Sequence, residues 1–226
     1  MRTSIKISLL CVMITAIFGY QNARAQVIPT TTNVRLFCDA TDLDLGDAPN
    51  GEEWHVWYSA SETTTPTDGV VLTGTTIPAA SLQTGYYYIA TQGTAEGSCM
   101  SEMVEVPVYK FAPLTVDFTA PSSYCIEDVA AQELVGTATS TDAYQNFAYQ
   151  WYIVEGTTET PIDGATTATY KPTSTTPGDI TYRLKGGYLV DALRYCSATV
   201  DKTVTVTAKP ATPTITIEGN SSGETW

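Results

Sequence analysis

Short runs of Thr, Val, Tyr and Ile fill the chain from residue 26 onward, broken about every ten residues by Gly, Pro, Asp or Ser. That rhythm predicts an all-β fold rather than alternating strands and helices. Residues 203–207 alternate Thr with Val, so Val204 and Val206 share one face of a strand. Residues 104–108, Val-Glu-Val-Pro-Val, are the upstream counterpart. Between Ile126 and Val135 the apolar positions approach helical spacing, yet the stretch is read as strand or irregular. Gly186-Gly187 reads as a hairpin turn.

The pattern repeats. Trp57 and Trp151 stand 94 positions apart, and Cys99 and Cys196 stand 97 apart. Asp68-Gly69 matches Asp163-Gly164, Pro78 matches Pro172, and Gly85 with Tyr88 matches Gly178 with Tyr182. Agreement in both order and spacing argues for duplication of one unit. Each unit, of ~85–100 residues, has the size of one sandwich domain. The expected organisation is a signal peptide at 1–25, a first domain at 26–110 and a second at 111–208. Residues 209–226 would be a tail or the opening strand of a truncated third domain, because 213–218 resembles 113–118. Trp57, Trp151, Tyr88 and Tyr182 are the expected core aromatics.

One feature predicts a chain outside the cytoplasm. Arg2 and Lys6 precede an apolar run from Ile7 to Phe18, and Ala23-Arg24-Ala25 offers small residues for cleavage. This is the layout of a secretory signal peptide, too short to remain as a membrane anchor. No membrane-spanning segment is expected in the mature chain, which would be secreted or held at the cell surface. Cys11 lies inside the apolar run behind Leu10 and is not read as a lipidation site. Removing residues 1–25 takes away Arg2, Lys6 and Arg24 but no acid, which moves the net charge from −13 to −16. So acidic a surface disfavours nucleic acid as a partner.

Four cysteines remain: Cys38, Cys99, Cys125 and Cys196. An even number in an exported chain predicts disulfides, with three possible connectivities. Cys38–Cys99 with Cys125–Cys196 is the one that treats the repeats alike. It would close loops of 61 and 71 residues, each worth about 4 kcal/mol in the chain-entropy account. Zinc binding lacks any Cys-x-x-Cys pair and has only His55 to help.

At these landmarks the chain resembles the immunoglobulin-like (Ig-like) repeats of bacterial secreted and cell-surface proteins. The resemblance spans about residues 27–208. It rests on Cys38, Trp57, Gly85-Tyr86-Tyr87-Tyr88 and Cys99, then on Cys125, Trp151, Gly178 to Tyr182 and Cys196. It implies two tandem Ig-like β-sandwiches acting in adhesion or as spacers, with protein or glycan partners at the cell surface. If the chain is a fragment, its neighbours would be further Ig-like domains. In antibody domains the second cysteine follows the corner tyrosine by two residues. Here Cys99 is eleven past Tyr88 and Cys196 fourteen past Tyr182. The resemblance therefore implies a bridge from the start of each domain to its last hairpin.

Candidate chemistry is sparse, and no enzyme activity or cofactor is expected. A Ser-His-Asp arrangement needs a histidine, and His55 sits beside Trp54 in a predicted strand. Asp39, Asp42, Asp44 and Asp47 form a weak calcium candidate. Their alternation with Leu43 and Leu45 also suits a half-buried strand. If Trp57 points inward, period two sends Trp54, Val56 and Tyr58 to the outer face as a possible ligand platform. Two alternatives to the spacer role follow: a carbohydrate-binding accessory module of a larger hydrolase, and a fibre subunit joined through its C-terminal strand.

Overall fold

The structure is a computed structural model that describes residues 26–216 and Gly219. The signal peptide expected at 1–25, with Cys11, lies outside the described residues, as does most of 217–226. The chain divides into two compact units between Pro113 and Leu114. Both are Ig-like β-sandwiches.

The first unit contains β1 (Arg35–Phe37), β2 (Leu43–Asp44), β3 (Glu52–Ser59), β4 (Val70–Val71), β5 (Thr76–Ile77), β6 (Gly85–Gly93) and β7 (Val104–Lys110). One sheet has the order β1-β7-β6-β3-β4, and β2 pairs with β5 in a second. The second unit contains β8 (Leu114–Thr119), β9 (Ser123–Cys125), β10 (Leu134–Ser140), β11 (Phe147–Glu155), β12 (Thr158–Pro161), β13 (Thr169–Tyr170), β14 (Gly178–Val190) and β15 (Leu193–Thr207). Its sheets have the orders β12-β11-β14-β15-β9 and β13-β10-β8. In both units a three-residue edge strand runs parallel to the last strand, β1 beside β7 and β9 beside β15.

Two local readings change. Residues Ile126–Ala131 form a 3₁₀ helix with Glu127 and Asp128 in its first turn, neither strand nor irregular. Gly186-Gly187 is no turn: both residues lie inside β14, where the ladder to β15 shifts register between Gly186 and Tyr188. A Cβ on Gly187 would lie 3.1 Å from the Tyr195 carbonyl oxygen, so the glycine permits a close backbone approach at a bulge. The reversal comes at Asp191 and Ala192, with φ of 45° and 69°, as a two-residue hairpin requires.

Alternation along β11 sets the second core. Trp151 faces inward and is fully buried, opposite Leu184 on β14. Its indole N–H donates to the Thr167 carbonyl at 2.9 Å. The Phe118 ring meets it edge-on at 5.0 Å. Gly136 on β10 supplies the remaining space: a Cβ there would stand 2.4 Å from a Leu184 methyl and 3.4 Å from the indole. Tyr182, Val204 and Val206 complete the buried cluster.

The first unit uses the same strand pair one residue out of step. Val56 takes the inward position opposite Ile89, and the core gathers Leu43, Ile77, Leu82, Tyr87 and Val108 around them. Tyr87 is the ring that anchors this core, its hydroxyl accepting the Gln83 N–H at 2.9 Å. That back-bond to a residue just upstream matches a tyrosine corner.

The two tryptophans should therefore differ in worth. Trp151→Ala should destabilise the second unit by about 3–5 kcal/mol, and Gly136→Ala by about 1–3 kcal/mol through overpacking. Trp57→Ala should cost the first unit less than half the Trp151 value. Urea unfolding followed by far-UV circular dichroism and fluorescence would show the ranking; equal losses for the two tryptophans would contradict it.

Candidate functional site

The expected aromatic platform is reversed. Trp54 and Tyr58 pack against the first core beside the buried Val56, and both polar tips are satisfied internally. The Trp54 indole donates to the Gly46 carbonyl at 3.0 Å, and the Tyr58 hydroxyl to the Thr84 carbonyl at 2.8 Å. It is Trp57 that turns outward. A one-residue offset between the repeats moves every side chain of the strand to the other face.

Trp57 is nonetheless no bare platform. It stacks on His55 at 6.0 Å between centroids, and Gly69 lies so close that a Cβ there would be 2.0 Å from the indole nitrogen. Tyr88, its cross-strand neighbour, is buried on this outer face rather than in the main cluster. Its hydroxyl accepts the Thr63 N–H at 2.8 Å. Loop residues 60–69 thus supply cover over both rings. His55 Nε2 is buried 3.4 Å from the Glu53 carboxylate without a hydrogen bond.

The cysteines also depart from expectation. In the first unit Cys38 is disulfide-bonded and Cys99 is an exposed free thiol. In the second, Cys196 is disulfide-bonded and Cys125 is a half-buried free thiol. Neither Cys38–Cys99 nor Cys125–Cys196 is formed. The parallel edge strand explains why. Cys38 follows Phe37, which pairs with Lys110 at the far end of β7, whereas Cys99 precedes β7. Seven strand residues span about 20 Å, and a disulfide needs Cα atoms within about 7 Å. Cys125 likewise pairs with Thr207, eleven residues along β15 from Cys196.

The acidic run does not converge. Asp42 accepts the Ala79 N–H at 2.6 Å, Asp44 the Gly46 N–H at 2.9 Å, and Asp39 lies 3.3 Å from the Lys110 ammonium. Asp47 is exposed. Among the described residues no three His, Cys, Asp or Glu side chains gather as metal ligands. Leu43 is buried and Leu45 packs on the core, the half-buried alternation.

On the outer face of β14, Arg183 forms a bidentate pair with Asp201 at 2.7 Å and a bond to Glu159 at 2.8 Å. The Arg183 hydrogen bonds hold the Asp201 carboxyl below the usual carboxylate range. A hydrogen bond from Lys202 does the same for Asp117. A general acid needs the opposite shift. Burial raises Tyr182 well above the ordinary phenol range and raises Tyr58, Tyr87 and Tyr88 as well, as for packed rings.

Further along the same face is a recess of about 300 Å³ lined by Gln150, Tyr152, Lys185, Gly186-Gly187 and Arg194. Sequence reading missed it. Period two applied to the second repeat would have found it, since an inward Trp151 forces Tyr152 outward.

No family model matches the chain, and no curated protein matches it. Among solved structures, the fibronectin(III)-like modules of Clostridium thermocellum CbhA align at 12% identity. They cover 81% of this chain and 93% of theirs, with a TM-score of 0.36. The amphioxus IgVJ-C2 molecule aligns at 11% identity over 75% of this chain and 99% of its own, with a TM-score of 0.34. A putative membrane anchored protein from Corynebacterium diphtheriae aligns at 14% identity over 77% and 49%, with a TM-score of 0.29.

Maleimide labelling of the native, unreduced protein should modify Cys99 fast, Cys125 slowly, and Cys38 and Cys196 only after reduction. Peptide mass spectrometry reads the order, and unlabelled Cys99 would contradict it. The Asp201 carboxylate has a lowered value in the folded protein. Its contribution is therefore complete above the unfolded value of about 4 and disappears as pH falls through the lower folded value. Asp201→Asn should remove that acid-side dependence while changing stability at neutral pH only modestly, by about 1 kcal/mol or less. Thermal melts across the acid range, parent against variant, test this.

Proposed function

We propose that the chain is an exported, non-enzymatic Ig-like repeat protein of the bacterial cell surface, acting as a structural spacer or in adhesion. One observation carries the reading. The two sandwiches keep most of their large aromatics for themselves, in the cores at Trp151, Tyr182 and Tyr87 or under a loop at Tyr88. What faces outward is largely Thr and acid, as on the exposed side of β15, in a chain of net charge −13. A pair of acidic sandwiches suits display and spacing. Disulfide-bonded Cys38 and Cys196 support an oxidising compartment. Among the described residues no helix is long and apolar enough to cross a membrane.

Fibre assembly through the C-terminal strand finds less support. Residues 208–216 form no strand, and Ile215 is 79% exposed. Residues 104–107 of β7, which β1 does not pair, are also poorly suited to receive one. The Phe111 N–H points to β1, so alternation turns Pro107 toward that same edge, where it offers no donor.

The full chain expressed in a bacterium should reach the exported fraction with residues 1–25 removed, its first residue being Gln26. Terminal peptide mass spectrometry on fractionated cells reads this. Retention in the cytoplasm with Met1 in place would overturn export. In the native host, deletion followed by replacement with an unrelated sandwich pair separates the two roles. Recovery of the surface phenotype marks a spacer, and recovery only with this chain marks an adhesin.

A further inference from the structure

We propose that the recess on the outer face of β11, β14 and β15 binds an acidic sugar residue. Lys185 and Arg194 hold its carboxylate, and the Tyr152 ring receives its face. This goes beyond spacing or adhesion, and its failure would leave that reading standing.

The charges on this face are distributed unevenly. Arg183 has Asp201 as a cross-strand neighbour and Glu159 within reach. Lys185, two residues on and on the same side, faces Gln150 on β11 and Thr199 on β15, both neutral. Among the described residues Lys110, Arg183, Lys202 and Lys209 are ion-paired, whereas Arg35, Lys171, Lys185 and Arg194 are not, and of these Lys185 and Arg194 line the same recess. Two unpaired cations lining one recess are conspicuous in a chain with 24 acidic residues. Lys185 is also half-buried, its stem lying along the sheet while its ammonium has no ion-pair partner among the described residues. An incoming anion would supply the missing partner.

Shape narrows the chemistry. Gly186-Gly187 line the recess at the bulge, and its volume, about 300 Å³, lies at the lower end for small-ligand sites. The Gln150 amide is fixed by its bonds to the Trp151 and Ile162 carbonyls at 3.0 and 2.9 Å, so that part of the recess is preorganised. The Tyr152 ring gives an apolar face with a polar tip, which a ring-shaped ligand uses and a bare anion does not. A nucleic acid would meet the field of a strongly acidic protein, whereas a single uronate brings one charge to a local positive patch.

Isothermal titration of the full chain with oligogalacturonate, with a neutral galactose oligomer and with sodium sulfate tests the assignment. Oligogalacturonate should bind and weaken with added salt, while the neutral oligomer should not bind. Tyr152→Ala and the pair Lys185→Gln/Arg194→Gln should each weaken binding about tenfold or more, with the native circular dichroism spectrum retained. Absence of oligogalacturonate binding at millimolar concentration would overturn the proposal. So would equal binding of the neutral oligomer, equal competition by sulfate, or unchanged affinity in both folded variants.

Discussion

One packing constraint governs the second unit: the fully buried Trp151 indole must fit between two sheets packed about 10 Å apart. Leu184 faces it from the neighbouring strand, and Phe118 meets it edge-on from the other sheet. Gly136 makes room by having no side chain. In antibody domains a disulfide between the two sheets occupies this region. Here a leucine and a glycine take it over, so the core closes without a covalent pin. The indole N–H finds the Thr167 carbonyl, which removes the cost of burying a donor.

The first unit reaches the same frame by different means. Val56 and Ile89 replace Trp151 and Leu184 at the centre, a smaller pair with less to hold the sheets apart. Tyr87, Tyr58 and Trp54 make up the volume from around it. With the large aromatics at the periphery of the core, their polar tips reach backbone carbonyls and amides at its rim. The outward Trp57 and Tyr88 then need shelter, and the loop after β3 provides it at Thr63 and Gly69. That loop explains why β6 is buried on both faces from Tyr86 to Ala90.

Edge strands decide what the cysteines can do. A parallel edge strand sets its end beside the C-terminal end of its partner, so Cys38 and Cys125 sit far from the hairpin side where Cys99 and the β14–β15 bulge lie. Pro107 interrupts the stretch of β7 that β1 leaves unpaired.

Composition, turn spacing and the duplicated Trp, Gly-Tyr and Cys landmarks were sufficient to read an all-β, Ig-like sandwich, because strand periodicity and turn chemistry are local properties. Local too is the alternation at residues 203–207, which does bury Val204 and Val206. Which face of a strand becomes the core is not local. Trp57 and Trp151 occupy like positions in like motifs, yet the register of β3 on β6 sends one outward while that of β11 on β14 sends the other inward. A shift of one residue leaves the letters alone and exchanges the faces. The cysteine arrangement depends on the pairing of β1 with β7 and of β9 with β15, and the recess at Tyr152, Lys185 and Arg194 on the register of β11, β14 and β15, through residues brought side by side from distant strands. Tertiary structure alone decided them, since cross-strand neighbours are chosen by sheet packing and not by distance along the chain.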